Sequence, residues 1–183
     1  MKKSNKACLK VDNEADTFKI TGRMLNTATS LYRAAEILNQ VHNGKAEDRS
    51  EKDFLTTFHG VPILLAQAAE ISLKTLWYIG HNENRNTPPH CHNLTKLHDA
   101  LPKTIQKLLE KRLAQISNPS HPHFPMPYRE GLRTILEDHK TALVEWRYIY
   151  EHSHLNFENV FKDVLNTLLD VGGQLHSQWR EKL

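Results

Sequence analysis

Met24, Ala28, Leu31, Ala35 and Leu38 follow one another at steps of three and four residues, a spacing that lines one face of an α-helix and would scatter over both faces of a strand. It predicts an amphipathic helix over 17–41. Comparable spacing returns along the chain, whereas no segment shows the strict apolar–polar alternation of a half-buried strand. Composition agrees: 24 Leu stand against 16 Ile plus Val, with only 7 Gly and 8 Pro, a balance that favours helix over sheet.

After the polar run HNGKAEDRS, Pro62 suits the first turn of a second helix over 62–79, with Gly80 as its stop. Ile63, Leu64, Ala66, Ala68, Ile71, Leu73, Leu76 and Trp77 go nearly all the way round it, so this helix should lie at the centre of the fold. The segment HNENRNTPPHCH reads as a loop, and Asn93 as the cap of a short helix ending near Leu101. Pro102 disfavours helical geometry before it and opens the next helix, which carries Ile105, Leu108, Leu109, Leu113 and Ile116.

The four prolines of NPSHPHFPMP break the pattern again. A long fifth helix is expected over 129–151, marked by Leu132, Ile135, Leu136, Leu143 and Trp146. Phe157, Phe161, Val164, Leu165, Leu168, Leu175 and Trp179 define a sixth, which tolerates Gly172 and Gly173 at about 1 kcal/mol each relative to Ala. The expected architecture is an all-α, antiparallel bundle of five to six helices over residues 15–183, preceded by a polar tail, 1–14. At 183 residues this is one domain, long enough to build a core without disulfides or metal.

The formal charge of +3, with 12 His, permits a nucleic-acid partner without requiring one. Cys8 and Cys91 give no disulfide framework. The leader MKKSNKACLK has no apolar stretch behind it, and the most apolar window, 61–79, is interrupted by Gln67, Glu70 and Lys74. A soluble protein of the reducing cytoplasm, with no membrane partner, is expected.

The chemistry-bearing stretch is VEWRYIYEHSH, residues 144–154, in which Arg147 is followed by His152. A guanidinium can orient and neutralise a phosphate through its planar fork, and an imidazole titrating near neutrality can move a proton. Together they are a minimal kit for metal-free phosphodiester cleavage. On an ideal helix the two lie roughly 140° apart, so they converge only where the helix ends or distorts, or where a second protomer supplies one of them.

Three segments, AAEISLKTLWYI at 68–79, HNLTKLHDALP at 92–102 and WRYIYEH at 146–152, resemble in order and rough separation those of HEPN domains. The third carries that family's Arg-x-x-x-x-His motif, and the likeness spans residues 20–180. The resemblance implies a homodimer whose paired motifs line one cleft, where RNA is cut without metal or other cofactor by attack of the ribose 2′-hydroxyl. Arg147 would stabilise the transition state and His152 would transfer the proton. Many such domains are toxins or phage-defence effectors with a nucleotidyltransferase-type antitoxin partner; others are catalytically silent modules that bind RNA or protein. Tyr148 stands where the family usually has a small polar residue, which favours the silent alternative.

Around this pair, Tyr148, Glu151, His154, Glu70 and Lys74 are candidates for cleft support. Arg147 could equally pair with Glu151 at i+4, and His152 could simply complement a helix C-terminus. Glu70 and Lys74 have the spacing and order of a helical ion pair, the more economical reading of them. Lys103, Lys107 and Lys111, with Arg112, form a cationic stripe that could follow an RNA backbone or merely face solvent opposite Ile105 and Leu109. His90, Cys91 and His92, His121 and His123, and His152 and His154 lack CxxC or HExxH spacing, so they read as loop residues rather than metal ligands. Trp77, Trp146 and Trp179 sit at core spacing.

Overall fold

A computed structural model describes residues 14–43, 51–81, 87–116, 131–140 and 158–182. Among them are six helices and no strand: α1 (Glu14–Asn43), α2 (Glu51–Gly80), α3 (Leu94–Asp99), α4 (Lys103–Ile116), α5 (Leu132–Asp138) and α6 (Glu158–Arg180). The chain is an all-α helical bundle.

Three long helices carry it. Leu38 of α1 packs over Gly60 of α2, while Leu25, earlier on α1, meets Leu76, later on α2, across Gly172 of α6. These pairings run α1 antiparallel to α2. The same holds against α6, where Glu14 meets Trp179, Phe18 stacks on His176 with ring centroids 4.1 Å apart, and Leu25 reaches Gly172. Polar contacts accompany this alignment: Trp179 Nε1 donates to the Glu14 carboxylate at 2.8 Å, and His176 Nε2 donates to the Phe18 carbonyl at 3.1 Å. α3, α4 and α5 pack along the open side, α3 on α2, α4 on α6, and α5 between α3, α4 and α6.

α2 is central, as its all-round apolar pattern requires. Leu65, Ala66, Ala68, Ala69, Leu73 and Leu76 are fully buried, and each buried leucine contributes about 1.5–3 kcal/mol. Its polar residues are accommodated locally: Ser72 and Thr75 donate their hydroxyls to the carbonyls of Ala68 and Ile71, one turn back, at 2.8 Å each. Thr21 on α1 and Thr167 on α6 use the same device. A hydroxyl so satisfied enters the core without an unmet donor.

Two helix boundaries differ from the sequence expectation. α2 begins at Glu51, not at Pro62, so the proline sits inside the helix. It deprives the backbone there of one N–H donor, a cost of about 3 kcal/mol in an isolated helix. Here Pro62 is buried, and packing of α1 along α2 carries the helix through it.

The expected continuous helix over 129–151 is also corrected. α5 ends at Asp138, and His139 leaves helical geometry at φ −115°, ψ 18°. The His139 ring donates from Nδ1 to the Ile135 carbonyl at 2.8 Å, and the Lys140 N–H turns back to Glu137 O at 3.2 Å. The Lys140 carbonyl then accepts the N–H of Leu94, the first residue of α3, at 3.1 Å. A helix end that needs a partner for its first N–H groups has drawn that carbonyl out of line.

The remaining ends fall where expected. Asn93 caps α3, its side chain accepting from Lys96 N at 2.8 Å. The Pro102 carbonyl opens α4 by accepting Gln106 N at 3.1 Å. Gly80 closes α2, yet no described residue has positive φ; glycine is needed here because a Cβ would lie 2.7 Å from Pro102 Cγ and 2.8 Å from Ile105 Cδ1.

Candidate functional site

Glu70 places a carboxylate in the interior side of α2, where both of its oxygens are engaged. Lys74, one turn on, donates to Oε1 at 2.6 Å, and the imidazole of His92 meets Oε2 at 2.9 Å through Nδ1. The helical ion pair read from the i,i+4 spacing is therefore present. His92, however, comes from the segment just before α3, 22 positions away, and no local pattern announces it.

The three groups differ in exposure. The Glu70 side chain is 9% exposed, Lys74 23% and His92 59%, so a buried anion anchors an imidazole that faces solvent. An ionised carboxylate only accepts hydrogen bonds, so His92 donates from Nδ1, and whenever the ring is neutral Nε2 is its basic nitrogen. A fixed tautomer on a solvent-facing imidazole is an arrangement that can take a proton from a bound hydroxyl and leave the resulting cation beside a carboxylate.

A second cluster, on α3 and α5, was missed by sequence reasoning. His98 is buried on α3, its Nδ1 3.4 Å from Asp99 Oδ1 and its Nε2 without a hydrogen-bond partner among the described residues. Burial holds the ring below its ordinary range, against the opposing pull of Asp99. Asp99 is itself held below the usual carboxylate range by the guanidinium of Arg133 on α5, which grips it at 3.0 and 2.9 Å. This fork ties α3 to α5.

Lys103, Lys107 and Lys111 are exposed along α4, opposite the buried Ile105, Leu109 and Leu113. Arg112 is drawn off the stripe by Asp170 of α6, which accepts from it at 2.6 and 3.1 Å. His90 is exposed, and the half-buried Cys91 packs against the core with its Sγ 3.9 Å from the Asn93 carbonyl. Trp77 and Trp179 are core residues, as their spacing predicts.

Among the described residues no three His, Cys, Asp or Glu groups converge into a set that could hold a metal ion, and no helix is long and apolar enough to cross a membrane. Arg147, Tyr148, Glu151, His152 and His154 lie outside the described residues, as do Cys8, His121, His123 and Trp146. No protein-family model matches the chain, and comparisons with curated proteins and with solved structures likewise find no match.

Proposed function

We propose that the protein is a metal-independent endoribonuclease of HEPN type, a cytoplasmic toxin or phage-defence effector that works as a homodimer. Arg147 neutralises the transition-state phosphate and His152 transfers a proton, the ribose 2′-hydroxyl being the nucleophile. RNA is the substrate, and a nucleotidyltransferase-type antitoxin is the expected partner.

One observation carries this reading beyond the sequence likeness. The first two HEPN-like segments are joined through the Glu70–His92 contact, 22 positions apart. The Lys140 carbonyl holds the start of α3, in the second of these segments. Polar groups from the first two segments thus gather at one place.

The test is RNA cleavage by the purified protein in EDTA. Arg147→Ala and His152→Ala should each abolish cleavage and any cell toxicity while leaving the dimer folded. Cleavage that persists in the double variant, or that EDTA stops, would refute the reading. The second reading, a catalytically silent module that binds RNA or protein, rests on Tyr148 beside the motif arginine. Retained RNA or partner binding, with no RNA cut, would favour it.

A further inference from the structure

α3 is six residues long, and its buried side is Leu94, Thr95, Leu97 and His98. A helix this short has no stability of its own and stays folded through what it packs on, here α2 and α5. Its backbone is tied at one end by the Leu94 N–H on the Lys140 carbonyl. At the other end the Gln106 amide donates to the carbonyls of His98, Asp99 and Leu101 at 3.2, 3.3 and 2.9 Å.

The His98 imidazole between these ties is 3% exposed. Its Nδ1 faces Asp99 at 3.4 Å, longer than the ~2.7–3.2 Å of a firm hydrogen bond, and Nε2 meets no partner among the described residues. Arg133 already grips both oxygens of Asp99. A neutral ring with its proton on Nδ1 fits this setting. A second proton, on Nε2, would put a cationic N–H into the core with nothing to accept it.

We propose that α3 is an acid-released latch: protonation of His98 frees it from α2 while the bundle of α1, α2 and α6 stays folded. The surrounding charges leave this role to His98. Asp99 on α3 and Glu137 on α5 stay ionised in mild acid, because Arg133 and Lys140 hold their carboxyls below the usual range. Glu110 of α4 is occupied at the Leu132 N–H, and Glu70 and Lys74 of α2 are paired with each other and with His92.

Nearby histidines accept a proton where they are. His90 is exposed, a cationic His92 would sit on the Glu70 carboxylate, and a cationic His139 would lie at the C-terminal end of α5 with Nδ1 still donating to Ile135. Once α3 lets go, the His98 ring titrates at its ordinary 6.5, whereas burial holds it lower in the docked state. Docking is therefore tightest above 6.5 and weakens as pH falls. With the docked ring neutral, the opening constant rises about tenfold between about pH 7.5 and about pH 5.5.

Hydrogen exchange of the full chain tests this, read by mass spectrometry on peptides from α2, α3 and α6 in rising sub-denaturing urea at those two pH values and corrected for intrinsic exchange rates. Whole-chain unfolding also frees His98, and urea separates the two events, since a local opening exposes little surface and responds weakly to it. The α3 amides should be less protected than those of α2, exchange through an opening nearly independent of urea, and open about tenfold more at the lower pH. His98→Leu should keep α3 equally protected at both, as should His98→Gln, which retains a polar side chain without the titration. His92→Gln should leave the tenfold rise in place. An α3 opening that ignores pH, α3 amides that share the protection and urea dependence of α2 and α6, or a rise that survives in the His98 variants overturns the proposal.

Discussion

The carboxylate of Glu110 on α4 accepts the backbone N–H of Leu132, the first residue of α5, at 3.1 Å. Gly131, at the cap position, has no side chain to do this, so a neighbouring helix meets one of the orphan donors of α5 and adds a negative charge at the positive end of its dipole. Glu110→Ala should destabilise the protein by about 1 kcal/mol, as loss of a cap does, and Glu110→Gln by less because an acceptor remains. Urea midpoints at constant m-value measure the difference.

Stability should fall in mild acid through His98. Burial lowers its folded-state affinity for a proton, whereas the unfolded ring titrates near its ordinary value of 6.5. Below that value the unfolded chain binds the extra proton, so this contribution is complete above the unfolded pKa and is lost as pH falls through the folded one. His98→Leu should flatten the stability difference between about pH 7.5 and about pH 5.5. An unchanged slope in urea titrations would show that other groups carry it.

The adjacent glycines of α6 should respond with opposite signs. A Cβ on Gly173 meets nothing within 4 Å, so Gly173→Ala should stabilise by up to about 1 kcal/mol through helix propensity. A Cβ on Gly172 would lie 2.9 Å from Leu25 Cδ2, where α1 and α6 cross, so Gly172→Ala should be net destabilising, the clash costing about 1–3 kcal/mol. Thermal melts of the two variants decide it.

RNA binding, under the proposed function, should draw on the exposed face of α4. Reversing Lys103, Lys107 and Lys111 to Glu should weaken binding of a labelled single-stranded RNA and reduce its log–log salt slope by roughly two, at about 0.7 per lost phosphate contact. Lys19→Glu on α1 and Lys182→Glu just past the end of α6 serve as controls. Equal losses in both sets would assign the effect to net charge alone.

Much of this architecture was readable because it depends on local spacing. The three-and-four rhythm from Met24 to Leu38 locates α1, and Asn93 marks the start of α3, since each signal lies within a few residues of its effect. The Glu70–Lys74 pair was visible for the same reason. Pro62 misled because a proline inside a helix and one at its first turn leave the same local trace, and its burial in a helix packed along α1 leaves no local mark. The end of α5 depends on Leu94 reaching the Lys140 carbonyl, and the Glu70–His92 contact depends on α3 folding back over α2. Neither long-range pairing leaves a periodicity.

The bond from Trp179 Nε1 to Glu14 and the stack of Phe18 on His176 hold the first turn of α1 beside the last turn of α6. The two ends of the helical body are therefore close enough for a short peptide to join them. Circular permutation with new termini opened between α4 and α5 would keep each described helix whole, making the bundle a scaffold whose chain order can be rewritten.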